Sequence, residues 1–296
     1  MDEPVGAALA SITDPNPHRQ WAAAICGKDY ADAIAGVSIL IGTPTYGGQM
    51  TTPHAESIEA FAFVLGLLGA EFARVRPQKE SLIQRARNRI VREFLKSKST
   101  HLLFIDADVE FEPSAVMKLL EAKKDCVCAV YPRKQVEWNR VYEAMRAGYP
   151  NPEKHASSAV VNLRQEDAEL GAVTYDDAGL CFPVMDAATG FLLISRGLLE
   201  RMCKAYPETA YVEESDETRT TMHALFDCFI EDAADGTRRY LSEDWGFSRR
   251  VQKMGETVWL RPDVVLNHHG SFAYQGNEQG IVLDGGRFLD VKAAAE

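Results

Sequence analysis

The run His101-Leu102-Leu103-Phe104-Ile105 stops abruptly on two carboxylates, Asp106 and Asp108. Preceded by a helical pattern and followed by Glu112-Pro113-Ser114, it predicts a strand buried on both faces of a parallel sheet, its end opening on a crevice. Charges at that place need a purpose. Side chains alternate between the faces of a strand, but the chain can turn at the strand's end, so Asp106 and Asp108 can converge on one hard cation that also holds phosphate oxygens. A helix cap with a surface turn is the plainer explanation of an isolated Asp-x-Asp. The position directly after a core strand is what argues for the cation.

Upstream, Val37 to Gly42 reads as a first strand that breaks into Thr43-Pro44-Thr45-Tyr46-Gly47-Gly48, a loop by its proline and paired glycines. A helical pattern starts near Pro53 and carries Ala60, Phe61, Val64, Leu65 and Leu68. Strand, glycine-containing loop and helix suit nucleotide binding, although such loops are as often mere connections. Residues 71–77 alternate like a second strand, and Ser81 is placed to cap a helix with Leu82, Ile83, Ala86, Ile90, Val91 and Leu95 as its apolar stripe. Arg85, Arg87, Asn88 and Arg89 fall on its other faces. A basic cluster on a helix is ordinarily a solvated face. This helix leads straight into the Asp106 strand, so at least one guanidinium can reach the crevice, where its fork suits a diphosphate. Pro113 to Lys124 reads as a further helix and Cys126 to Tyr131 as a further strand. The alternation predicts an α/β fold, a parallel sheet with right-handed crossovers, and ligands at the strands' C-terminal ends.

Residues 132–181 are polar and irregular, with a strand candidate at Ala159 to Leu163. The small-residue loop Met185 to Gly190 opens the buried strand Phe191 to Ile194, and Gly190 permits close backbone approach. A helix over 197–205 leads to an acidic segment, Glu213-Glu214-Ser215-Asp216-Glu217, expected to be a solvated surface loop, and Phe226 to Ile230 reads as a strand. Ser242 is placed to cap a helix whose first turn holds Glu243 and Asp244, where the dipole favours acids. Strands at 257–260 and 264–266 precede His268 and His269. Two histidines at a strand end, in a chain already carrying Asp-x-Asp, point to metal binding by one of them, since adjacent residues point differently.

The chain of 296 residues, 46% hydrophobic, is long enough to bury a large core, and a single α/β domain is expected. Its net charge of -11 argues against broad binding to nucleic acid or anionic membrane. No stretch approaches the roughly 20 apolar residues of a membrane span, and the acidic N-terminus lacks a signal pattern, so a soluble cytoplasmic protein is expected. The six cysteines are scattered without a Cys-x-x-Cys pair and read as reduced and mostly in the core.

Taken in order, these pieces resemble the GT-A class of nucleotide-sugar-dependent glycosyltransferases, close to glycosyltransferase family 2. They are also similar to Anp1/Mnn9-type mannosyltransferases and to phage and bacterial transferases. The resemblance covers about residues 37–275. It rests on Thr43-Pro44-Thr45-Tyr46, Arg85-Ala86-Arg87-Asn88, Asp106-Ala107-Asp108, the loop Met185 to Gly190, and Ser242-Glu243-Asp244-Trp245-Gly246-Phe247 with His268 downstream. It implies a GT-A (Rossmann-like) mixed, mostly parallel sheet flanked by helices in one domain over 36–275. A nucleotide-sugar half would span about 36–131 and an acceptor half about 132–275, with 1–35 as a lead-in containing a short helix and 276–296 as a mobile tail.

Residue by residue, the resemblance implies Pro44 and Tyr46 at the nucleoside, and Thr43, Arg85, Arg87, Asn88 and Gly190 as further contacts of the donor. Asp108 would ligate Mn²⁺ or Mg²⁺, Asp106 would contact the ribose or the metal, and His268 would complete the metal site, with His269 as the alternative. The donor implied is a UDP- or GDP-sugar and the acceptor a saccharide. In inverting members a carboxylate of the Glu243-Asp244 pair deprotonates the acceptor, and Asp244 holds that position; in a retaining enzyme it would only position the acceptor. Residues 132–181 and 206–240 depart from the pattern, so the acceptor's identity is not implied. Trp138 and Trp245 are candidate sugar platforms.

Three other functions compete. A phage-type transferase acting on hydroxymethylated DNA bases is opposed by the acidic balance. A nucleotidyltransferase is opposed by the lack of a basic residue in Thr43 to Gly48. A non-catalytic sugar-nucleotide-binding protein is opposed by the joint presence of Asp106, Asp108, Asp244 and His268.

Overall fold

The computed structural model describes residues 16–213, 219–233 and 236–290. Helix α1 (Pro17–Cys26) precedes strand β1 (Ser38–Gly42), helix α2 (Thr52–Leu68) and strand β2 (Glu71–Val75). Helix α3 (Ile83–Lys96), strand β3 (His101–Ile105), the short strand β4 (Val109–Phe111), helix α4 (Pro113–Glu121) and strand β5 (Cys126–Cys128) follow. The second part contributes β6 (Phe182–Val184), β7 (Phe191–Ser195), α5 (Arg196–Ala205), α6 (Glu243–Lys253), β8 (Val258–Leu260), β9 (Leu266–His269) and β10 (Ala273–Tyr274).

Seven strands form one sheet in the order β2-β1-β3-β7-β5-β8-β6. Strands β2, β1 and β3 are mutually parallel, β8 is parallel to β5, and β7 runs antiparallel to both of its neighbours, β3 and β5. Strand β6 closes the far edge, antiparallel to β8. The fold is thus the expected mixed, mostly parallel α/β sheet. The later strand β7 lies between β3 and β5 and runs against both, pairing Leu103 with Leu193 on one side and Val127 with Leu193 on the other.

Alternation along the strands divides the core into two layers. Ile39, Ile41, Leu103 and Ile105 pack with Phe61 and Leu65 of α2 and Val116 and Leu120 of α4. Leu40, Leu102, Phe104, Leu192 and Ile194 pack on the opposite face with Ile90 and Phe94 of α3, Leu198 of α5 and Val251 of α6. Because both faces are covered there, the central strands are almost wholly apolar and read as runs, whereas the edge strand β2 is largely exposed and carries Glu71 and Arg74.

Several expectations give way to packing. Ser81 does not cap α3; the helix starts after Leu82 with no side-chain cap, and Leu82 and Ile83 are exposed while Arg87, Asn88 and Phe94 are buried. Residues 132–181 are not wholly irregular, since they hold helices Trp138–Ala147 and Gln165–Leu170 and the short strand Val161–Asn162. Residues 276–290 are no mobile tail: Gly280–Val282 pairs with Phe288–Asp290, and Ile281, Val282 and Leu283 are buried. Residues 291–296 lie outside the described residues, as do 1–15 of the lead-in, whose remainder packs Ala22 and Ile34 into the core. Of the acidic segment, Glu213 is tied to Arg89 with Nε–Oε1 at 2.8 Å, and Glu214 to Glu217 lie outside the described residues. Among the described residues no helix is long and apolar enough to cross a membrane.

Candidate active site at the end of the central strand

Strand β3 ends in a turn that its surroundings fix. Asp106 N–H donates to Gly190 O at 3.0 Å, Val109 N–H closes the turn on Asp106 O at 3.1 Å, and Thr51 N–H donates to Ala107 O at 2.9 Å. The chain then reverses into β4, which pairs antiparallel with β9, and β9 pairs with β10. This small sheet folds the histidine pair over the Asp106–Asp108 turn. Adjacent strand residues face opposite ways, so only one histidine meets the turn. His268 Nε2 lies 3.3 Å from Asp108 Oδ1, whereas His269 Nε2 lies 2.7 Å from Glu110 Oε2 on the other side.

The tautomer of His268 follows from its second contact. Nδ1 sits 2.9 Å from the carbonyl oxygen of Pro132, which only accepts, so Nδ1 carries a proton. In the neutral ring Nε2 then presents a lone pair to a carboxylate oxygen. Two acceptors face to face require a proton or a cation between them. Asp108 Oδ2 is meanwhile ion-paired with Lys134 Nζ. Burial pushes the Asp108 carboxyl up, but the bonds from His268 and Lys134 outweigh it and hold the pKa at about 2.

A second network stands beside the first. Arg87 on α3 is buried, with Nη1 3.4 Å from Asp106 Oδ1 and Nε 3.2 Å from Glu243 Oε1. It joins the end of β3 to the start of α6. Burial disfavours its charge, and Asp106 and Glu243 more than offset this, raising its pKa above the ordinary value. Tyr131 is also buried here, its ring edge-on to His268 with centroids 4.9 Å apart. Burial, reinforced by the Asp106 charge, raises its phenol well above the ordinary value, so it stays a neutral hydroxyl. Gly190 leaves room for both: a Cβ there would stand 2.3 Å from Tyr131 Oη and 2.7 Å from Asp106 Oδ2. The close backbone approach expected at Gly190 has this cause.

Asp244 follows Glu243 in the first turn of α6. Its Oδ1 accepts the Trp245 N–H at 2.8 Å and the hydroxyl of Ser242. The expected cap is therefore corrected: Ser242 donates to Asp244 in place of accepting from the helix backbone. Beyond α6 lies a polar groove of about 1110 Å³, lined by Asn162, Asp186, Glu231, Arg249 and Gln252 among others. Asp186 at its floor is ion-paired with Arg249 at 3.0 Å; burial is the largest influence on its carboxyl and raises the pKa.

The structure brings Arg87, Asp106, Asp108, Gly190, Glu243 and His268 together, with Asp244 adjoining. Other candidates are engaged elsewhere. Arg85 is exposed and makes a two-pronged pair with Glu80, at 2.6 and 2.7 Å. Asn88 spends both ends of its amide on the backbone of Phe226, at 2.8 and 3.0 Å. Thr43 is buried with Oγ1 unpartnered, Pro44 is half-buried, and Tyr46 and Trp138 are exposed. Tyr131 and Lys134 are the residues that sequence reasoning missed. Tyr131 closes an apolar run that ends at the level of Asp106, a signal that could have found it, whereas nothing local marks Lys134.

Among the described residues no group of three or more His, Cys, Asp and Glu side chains is placed to hold a metal. Asp108 and His268 form a two-donor set of one oxygen and one nitrogen. This fits Mn²⁺ or Mg²⁺ when phosphate oxygens and water complete the shell, since Mg²⁺ in particular is held by few protein ligands together with substrate phosphates.

No protein-family model and no curated protein matches the sequence. Among solved structures the chain is similar to the protein A197 from STIV, at 15% identity over 86% of this chain and 93% of that one, with a TM-score of 0.42. It is also similar to GalNAc-T7, solved with UDP, GalNAc and Mn2+, at 10% identity over 82% of this chain, with a TM-score of 0.42. The aligned part spans 44% of that second chain. At such identities and scores the likeness assigns no ligand and no reaction to this chain.

Proposed function

We propose that the chain is a metal-dependent glycosyltransferase of the GT-A class, moving a sugar from a nucleotide-diphosphate donor to a saccharide hydroxyl. The observation that carries this is the Asp108–His268 pair at the end of β3, two acceptors 3.3 Å apart that require a proton or a cation between them and so offer a metal a ready pair of donors. Asp108 and His268 would hold Mn²⁺ or Mg²⁺, which when bound neutralises charge on the leaving diphosphate. Arg87 fixes Asp106 and Glu243 relative to each other, and so sets the end of β3 against the start of α6. Asp244 is the candidate base. With its Oδ1 engaged by Trp245 and Ser242, Oδ2 takes the proton of the acceptor hydroxyl as that oxygen bonds to the anomeric carbon. The bond from that carbon to the diphosphate oxygen breaks with its electron pair, and configuration inverts. The polar groove beyond α6 suits the rest of a saccharide acceptor. A second reading has a specific support: the hold of Trp245 and Ser242 on Asp244 suits a residue that only positions the acceptor, in a retaining reaction.

The test is a thermal-shift panel of UDP-, GDP-, dTDP- and CMP-sugars, each with and without Mn²⁺. One nucleotide class should raise the melting temperature only with Mn²⁺, because a ligand that binds the folded state stabilises it by mass action. Asp108→Ala should abolish that shift. Asp244→Asn should keep it while lowering turnover by roughly 10²–10⁴, the size expected of a positioned base. A flat panel in the wild type would overturn the proposal, and full turnover in Asp244→Asn would overturn the base.

A further inference from the structure

The chemistry above gives no part to Lys134, the cation already resting on Asp108. The turn that carries it is held on several sides. Pro132 O accepts from His268, Arg133 N–H donates to Ser158 O at 2.9 Å, Glu137 N–H donates to Ala156 O at 2.8 Å, and the Ser157 hydroxyl donates to Gln135 O. From this anchored turn the stem of Lys134 crosses Gly270, where a Cβ would stand 3.0 Å from its Cδ. Gly270 is not in the left-handed backbone region, so the missing side chain there serves the passage of the stem. The ammonium ends on Asp108 Oδ2, opposite the oxygen that faces His268.

Two cations cannot share Asp108 on equal terms. A divalent ion entering between Asp108 and His268 would bring its charge close to the ammonium, and in a half-buried site that repulsion is far less screened than in water. The four-carbon stem of a lysine can swing while its backbone stays fixed. The nearest new anion is the diphosphate that the same metal would hold.

We propose that Lys134 is an exchangeable cation of the site, neutralising Asp108 while the donor pocket is empty and passing to the donor's diphosphate when metal and nucleotide sugar enter. The inference rests on the glycosyltransferase reading and names a diphosphate contact within it. It makes two predictions of opposite sign, which a merely structural lysine does not.

The experiment uses the full chain, with Mn²⁺ alone and then inorganic pyrophosphate at saturating Mn²⁺ as probes, both followed by calorimetry. Lys134→Met keeps the stem across Gly270 and removes the charge. It should bind Mn²⁺ more tightly, by roughly threefold to tenfold, because the competing cation is gone. It should bind pyrophosphate more weakly, by roughly tenfold to a hundredfold, the size of a lost hydrogen bond between charged groups. Lys134→Arg should keep pyrophosphate binding near the wild type. Gly270→Ala, which crowds the stem, should shift both affinities in the same directions by less, and should change neither when added to Lys134→Met. Unchanged affinities in Lys134→Met would overturn the exchange, and so would weaker Mn²⁺ binding, which would make Lys134 a mere prop for Asp108. A wild type that binds neither probe would instead overturn the glycosyltransferase reading beneath it.

Discussion

At the scale of one residue, Gly190 shows how little space the candidate site has to spare. A methyl group at this position has no direction in which to relax, because its two nearest neighbours are the hydroxyl of a buried tyrosine and a carboxylate held by Arg87. Gly190→Ala should therefore destabilise the fold by about 1–3 kcal/mol, as overpacking does, measured by urea denaturation. Adding Tyr131→Phe removes the closest atom but leaves the ring carbon Cζ at 2.6 Å, so it should recover only a small part of that loss. Recovery of none would show that the strain falls on the ring, Asp106 or the backbone. The glycine itself was legible in the sequence as a break before an apolar strand. Its partner was not: Tyr131 and Gly190 are far apart in the chain, and only the registration of β7 between β3 and β5 brings them together.

At the scale of an element, α3 does two jobs that its sequence mixes. Its polar residues 85–89 read as one basic patch, yet in the fold each faces a different neighbour: Arg85 pairs with Glu80, Arg87 reaches the site, Asn88 grips Phe226, and Arg89 holds Glu213. Periodicity gave the face of Ile90 and Val91 correctly but counted Leu82 and Ile83 as buried, because a moment cannot tell where a helix overhangs its sheet. It also could not separate Arg87 from Asn88, since the partners of both come from elsewhere in the chain. These two roles predict different phenotypes. Asn88→Ala strands the N–H and carbonyl of Phe226 in the core and should cost on the order of 2–4 kcal/mol of stability, read from the shift in urea midpoint, with Mn²⁺ affinity retained. Loss of Mn²⁺ affinity at full stability would place Asn88 in the site after all.

At the scale of the molecule, the charge balance sets the response to acid. Glu80 is lowered by its bonds to Arg85 first, while Asp108, Glu110, Glu121 and Asp263 are raised by burial and lowered by more through their partners. A carboxyl whose pKa is lower in the folded state contributes stability above its unfolded pKa and loses it as pH falls through the folded one. Asp186 runs the other way, since its raised pKa makes ionisation unfavourable in the fold. Stability should thus fall as pH drops from the ordinary carboxylate range of 3.8 to 4.5 toward about 2, the value of Asp108. Urea midpoints measured from pH 7 to pH 2 check this, and a flat profile would show that these pairs contribute nothing. The sheet order carries a different consequence, for how the chain acquires its shape. Six of the seven strands have been made once β7 is complete, and β7 supplies the seam between β3 and β5. Until residue 195 has left the ribosome, the carboxylate-bearing strand has an open edge on one side, so the segment before it cannot mature as a free-standing unit. Long-range pairing of this kind is slow to nucleate and leaves strand edges exposed meanwhile. The interval of synthesis between β5 and β7 is the period in which that edge of β3 stays open.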